Sequence, residues 1–216
     1  MTREAVMYNR IVHELRGPVG VALGSAAELE RALREPSPYS AMLRRSLERI
    51  LNVALRLSHL AAFEQGKVEH KPESVDLAQL VTQHAQNTAA LDQRPAKLAI
   101  DPVAVPIEVQ ADPAWLGFCV DEIVRNALQH SKAVVRVSVS SEPRWARIFV
   151  EDDGPGFARP PDYSFDPDPD TKQGLGVSLA IAHRVVVDCH HGELNVTPGS
   201  SGGARVEIKL PVEDAP

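Results

Sequence analysis

The sequence predicts an α+β chain: a helical hairpin that pairs with a second copy into a dimeric four-helix bundle, followed by an α/β sandwich. Three observations carry this. Residues 4–66 hold two long apolar stripes of helical period, parted only by a Pro-containing break at 35–39. The segment 67–75 interrupts the helix and changes the composition. Beyond it, helical and strand-like segments interleave at hairpin-length spacings.

The first arm carries its stripe on Ile11, Leu15, Pro18, Ala22, Ala26, Leu29 and Leu33, and the second on Leu43, Leu47, Ile50, Ala54, Leu57 and Ala61. A hairpin cannot bury both stripes alone, so a homodimer is expected. The second domain reads as a helix over 76–91, short extended pieces at 97–100 and 107–110, and a helix over 113–129. Strands at 134–140 and 145–151 come next, then a Pro/Asp-rich loop, a helix over 175–189 and strands at 193–197 and 204–210. The expected result is one sheet with helices on one face.

Composition narrows the function classes. The 216 residues hold 23 Lys plus Arg against 29 Asp plus Glu, a net charge of −6, with 44% hydrophobic content, 17 Pro, 13 Gly and 2 Cys. That excludes collagen, disorder and disulfide scaffolds. Mild acidity argues against a nucleic-acid surface, which needs clustered Lys and Arg. No run of about 18 apolar residues occurs, and the N-terminus lacks the apolar core of a signal peptide, so the expectation is a cytoplasmic chain without a membrane span. Cys119 and Cys189 lie singly in apolar helical patterns and read as reduced core residues.

Four segments carry chemistry. Glu151, Asp152, Asp153, Gly154, Pro155 and Gly156 form an acidic glycine turn at a strand end, where Asp152 can accept a hydrogen bond from an exocyclic amine and the glycines let backbone approach a ligand. Gly174, Leu175 and Gly176 open a helix, whose free N–H groups and dipole suit a phosphate. Within the helix over 113–129, Glu122, Asn126 and Gln129 share one row, and Asn126 offers Mg²⁺ a hard oxygen. Lastly, His13 sits two residues from Ile11, about 200° around the helix, and is expected to face solvent beside Glu14, available as a nucleophile. Pro18 frees the carbonyl of Glu14 and bends the helix one turn later.

Together these segments resemble a sensor histidine kinase catalytic core: a dimerisation and histidine phosphotransfer hairpin followed by an ATP-binding domain of the GHKL (Bergerat) type, shared by gyrase, Hsp90, histidine kinases and MutL. His13 to Pro18 resembles the phosphoacceptor box and Asp121 to His130 the Asn box. Asp152 to Gly156 and Gly174 to Gly176 resemble the two Gly boxes, and Gly202 and Gly203 a terminal one. The resemblance implies domains at 1–66 and 76–216 with a linker at 67–75. It also implies ATP and Mg²⁺ as ligands, and a response regulator receiver domain as partner. Asp152 would read the adenine amine, Gly154 and Gly156 would shape the adenine pocket, and Asn126 would hold Mg²⁺. Gly174, Leu175 and Gly176 would cradle the phosphates beneath a lid over 157–173, with His130 close by. His13 would attack the γ-phosphate, assisted by Glu14, and the group would pass to an aspartate of the regulator.

The sequence departs from the family pattern at three places. Gly17 stands where Thr or Asn is usual, which implies weak or absent phosphatase activity. Glu122 replaces the first Asn of its box and brings a residue type that activates water in hydrolytic members. Lys172 precedes Gly174 where another glycine is usual, and can touch a phosphate as a point charge. Two other readings follow from these departures: a phosphotransfer or scaffold adaptor with a degenerate nucleotide site, and a GHKL-type ATPase.

Overall fold

The computed structural model describes residues 3–32, 37–92, 96–157 and 177–212. The chain divides into two compact units, Met1–Val68 and Glu69–Pro216.

The first unit is a hairpin of α1 (Arg3–Ala32) and α2 (Pro38–Glu64). Ser37 starts α2 by accepting the Tyr39 N–H at 3.3 Å, with Pro38 at the first helical position, where its missing donor costs nothing. Helix α1 runs through Pro18. Its buried residues agree with the expected stripe at Ala26 but differ elsewhere: Val12 and Val19 are buried instead, whereas Ile11 (40% exposed), Leu15 (37%) and Leu29 (52%) are not. A single hairpin seam is narrower than the apolar face, so only part of the face is covered within one chain. In α2 the buried residues include Ala54, Leu60 and Ala61, while Leu43 and Ile50 stay exposed.

The second unit begins with β1 (Glu73–Asp76) and α3 (Leu77–Leu91), then β2 (Lys97–Ile100), β3 (Glu108–Ala111) and α4 (Pro113–His130). After β4 (Val134–Ser141) and β5 (Trp145–Asp152) come α5 (Val177–Arg184), a π-helical turn (Val185–Cys189), β6 (Glu193–Pro198) and β7 (Ala204–Pro211). Part of the segment read as linker is thus a strand: β1 pairs antiparallel with β3, and Ser74 Oγ donates to Glu108 at 2.7 Å. The main sheet has the order β2-β4-β5-β7-β6, parallel only between β2 and β4.

The core lies between this sheet and its helices. Ala146, Ile148 and Val150 on β5 and Ala204, Val206, Ile208 and Leu210 on β7 are buried at every second position, as a sheet with one covered face requires. Leu116, Val120, Ile123, Val124 and Ala127 of α4 and Ala180 and Ile181 of α5 are buried as well. Asp76 and Asp112 cap α3 and α4 by accepting their first free N–H groups at 3.0 to 3.3 Å. Cys119 and Cys189 are free and buried, and burial pushes both thiols up from their ordinary pKa. Among the described residues no helix is long and apolar enough to cross a membrane.

Candidate functional site

Asp152 ends β5 on the same face as Ala146, Ile148 and Val150, so strand alternation carries a carboxylate to the edge of the core. It is 7% exposed. Its Oδ1 accepts the N–H of Gly154 at 2.7 Å and, more weakly, that of Ala204 at 3.4 Å. Both donors go to one oxygen, which leaves Oδ2 as an acceptor for a ligand.

The backbone packs around this carboxylate too closely for side chains. A Cβ on Gly203 would overlap the Asp152 carbonyl, and one on Gly154 would overlap the carbonyl oxygen of His130. Glycine is therefore required at both positions, which brings the end of α4, the turn after β5 and the start of β7 together.

Beside Asp152 lies a cavity of about 190 Å³, to which Asn126, His130 and Gly156 also contribute. Its walls are otherwise apolar: Ile123, Val150, Leu179 and Val206 line it, with the half-exposed Phe157 at its margin. Apolar walls with one convergent carboxylate suit a flat heteroaromatic ring that carries an amine. Sequence reasoning missed these walls, although the alternation that buries Val150 and Val206 on the covered face was readable.

Four of the expected site residues, Asn126, His130, Asp152 and Gly156, thus meet at one cavity, with Gly154 behind them. Glu122 does not share it. It is 3% exposed and paired with Arg125 one turn along α4, so the row expected for Glu122, Asn126 and Gln129 is split between the core, the cavity and solvent. Lys172, Gly174, Leu175 and Gly176 lie outside the described residues. So does the side chain of His13, which the sequence expected to face solvent. His13 is part of α1 in the other unit, and its neighbour Glu14 is exposed. Among the described residues no group of three His, Cys, Asp or Glu side chains is arranged to hold a metal; at the cavity, Asn126 offers an amide oxygen beside the Asp152 carboxylate.

Residues 111–214 match the family described as histidine kinase-, DNA gyrase B-, and HSP90-like ATPase. The resemblance to sensor histidine kinases holds among individual relatives. The chain is 29% identical over 225 residues to the C4-dicarboxylate transport sensor protein DctS of Rhodobacter capsulatus, covering 97% of this chain and 34% of that protein. It is 28% identical over 231 residues to the sensor histidine kinase CpxA of Escherichia coli (strain K12), covering 98% and 48%. The chain spans about a third to a half of the length of these curated relatives. Among solved structures, full-length ShkA in complex with AMPPNP superposes with a TM-score of 0.69 at 25% identity, over 97% of this chain and 46% of that one. The α/β unit therefore has the mixed-sheet fold of this ATPase family.

Proposed function

We propose that the chain is the catalytic core of an ATP-dependent protein-histidine kinase of a two-component system. The observation that carries this reading is Asp152, a buried carboxylate at the edge of an apolar cavity with one oxygen left for a ligand. An acceptor there matches the exocyclic amine of adenine and repels the carbonyl of guanine. The glycines at 154 and 203, where a Cβ would overlap the carbonyls of His130 and Asp152, let the chain pack closely around the Asp152 carboxylate.

Within this reading Asp152 orients the base, and Ile123, Val150 and Val206 exclude water from its faces. Asn126 holds Mg²⁺, which neutralises phosphate charge when bound. His130 lies at the cavity margin toward the phosphates, and Lys172, Gly174, Leu175 and Gly176 complete the phosphate cradle. His13 is the acceptor: its imidazole nitrogen takes the γ-phosphoryl group, ADP leaves, and Glu14 holds or accepts the ring proton. Because the transition state is loose, positioning and charge neutralisation supply most of the rate. The phosphoryl group then passes to an aspartate of a response regulator receiver domain.

The hairpin supplies the homodimer. Ile11, Leu15 and Leu29 on α1 and Leu43 and Ile50 on α2 form an apolar surface that one chain leaves exposed and a second copy would cover. Glu122, the residue a hydrolytic reading would use as a base, is buried against Arg125 and does not line the cavity, which favours transfer over hydrolysis.

Calorimetric titration with a non-hydrolysable ATP analogue and Mg²⁺ tests the nucleotide half of the proposal. Micromolar affinity is expected, and millimolar or absent binding would favour the adaptor reading. Phosphate release that persists without His13 would instead favour an ATPase.

A further inference from the structure

Asp152 and Asp153 are neighbours, yet strand alternation sends them to opposite sides. Asp152 turns into the cavity. Asp153 turns to the connection that leaves α4, where its Oδ1 accepts the backbone N–H of Lys132 at 2.8 Å and of Ala133 at 3.1 Å, and its Oδ2 accepts that of Ala133 at 3.0 Å. These two donors follow directly on the end of α4 at His130 and its cap Ser131. The same carboxylate thus ties the helix that carries Asn126 and His130 to the strand that carries Asp152.

A second contact closes the same joint. Gly154 lies against the carbonyl of His130 so closely that a Cβ would overlap it. Around the turn, then, residue 152 meets the cavity, 153 fixes the helix end by hydrogen bonds, and 154 lets that end approach. The backbone N–H of Ala133, followed by that of Lys132, holds the Asp153 carboxyl below its ordinary pKa, so the tie is present throughout the neutral range.

We propose that Asp153 is a positioning residue for nucleotide binding, setting the separation between Asp152 at one side of the cavity and Asn126 and His130 at the other. The inference rests on the nucleotide reading above and adds to it a residue that touches no ligand. Charge-assisted bonds to backbone N–H groups are among the stronger ones a side chain makes, and two of them act at this one joint. A ligand that spans both sides of the cavity depends on that joint being fixed, because a small displacement separates the two sets of contacts.

The substitution pair Asp153→Ala and Asp153→Asn tests this. Alanine removes both acceptors. Asparagine keeps an oxygen at the Oδ1 position, which alone accepts from both Lys132 and Ala133. Three readouts are needed: calorimetric affinity for a non-hydrolysable ATP analogue with Mg²⁺, KM for ATP against kcat, and hydrogen exchange of the Lys132 and Ala133 amides. Ile208→Val, a core change at the sheet, provides a comparison of general destabilisation.

Asp153→Ala is expected to weaken the analogue and raise KM by about ten-fold, with kcat at saturating ATP changed much less. The two amides should exchange faster, Asp153→Asn should recover most of the affinity, and Ile208→Val should bind as the parent chain does. The inference is overturned if Asp153→Ala binds like the parent, if Ile208→Val loses as much affinity, or if exchange at Lys132 and Ala133 is unchanged. Failure of the parent chain itself to bind the analogue would overturn the nucleotide reading, and this inference with it.

Discussion

The backbone N–H of Asp112 donates to Nε2 of His190 at 3.0 Å, across 78 residues of sequence. The other ring nitrogen, Nδ1, donates to the carbonyl of Val185 at 2.9 Å, which fixes the neutral tautomer. Asp112 is also the cap of α4, and its Oδ2 accepts the N–H of Lys71 at 2.8 Å, while Trp115 Nε1 donates to the carbonyl of Glu69. One carboxylate and one imidazole therefore join the start of the second unit, the first turn of α4 and the end of the π-helical turn.

Acid should loosen this junction. Burial, above all, lowers the His190 pKa from its ordinary value, against a smaller opposing effect of the Val185 carbonyl, and the ring faces His70 and Asp112. A folded state that prefers the neutral ring gains stability that is fully present above the unfolded pKa of about 6.5 and is lost as pH falls below it. Urea unfolding at pH 7.5 and 5.5 is expected to show lower stability at pH 5.5, with a smaller difference in His190→Gln. Equal pH dependence in the two chains would count against His190 as the titrating group.

In the proposed reading, Asp152 is the acceptor on which base recognition depends. Asp152→Ala is expected to cost the ATP analogue at least about ten-fold in affinity, the scale of one hydrogen bond to a charged group. Circular dichroism should show the fold retained, and GTP should not replace ATP in the parent chain. Unchanged affinity would remove Asp152 from the site.

Two glycines should respond in opposite directions to the same change. Gly203→Ala drives a Cβ into the Asp152 carbonyl and is expected to cost about 1–3 kcal/mol. Gly24→Ala, within α1 and with open space around the added atom, is expected to raise stability by about 0.5–1 kcal/mol. Thermal unfolding reads both.

The apolar strip on the hairpin should be an interface. Leu29, 52% exposed in one chain, is expected to be covered by the second copy, so Leu29→Asp should shift the mass measured by light scattering from dimer toward monomer. A parent chain that is monomeric at micromolar concentration would contradict the four-helix bundle.

Much of this fold was legible because periodicity is local. The pattern of the second unit matches helices α3 and α4 and strands β2 to β7 to within a residue or two, since Leu116, Val120 and Ile123, or Val206, Ile208 and Leu210, repeat at the spacing their own backbone imposes. Strand β1 escaped because Glu73, Ser74, Val75 and Asp76 carry no alternation; its existence depends on β3, more than thirty residues later. The seam of α1 was read correctly at Ala26 but misplaced by one position near its start, Val12 being buried where Ile11 was expected, because a broad apolar face does not say which part a single partner helix covers.

At the site, Asp152 was readable from its turn. That Asp153 turns away from the cavity to the Lys132 and Ala133 N–H groups was not, because it depends on what packs against each side of β5. Nor was the Asp112 and His190 junction, whose partners are set only by folding. Glu122 shared a helical row with Asn126 in sequence, but the row is wide enough that a few tens of degrees separate the core from the cavity.

The kinase reading is tested most directly by incubating the chain with γ-labelled ATP and Mg²⁺, then assaying the protein-bound label for acid and base stability. A phosphohistidine, labile in acid and stable in base, is expected in the parent chain and absent from His13→Gln, which should still bind the ATP analogue as tightly as the parent. Label retained by His13→Gln, or none in a parent chain that binds ATP as a dimer, would contradict it.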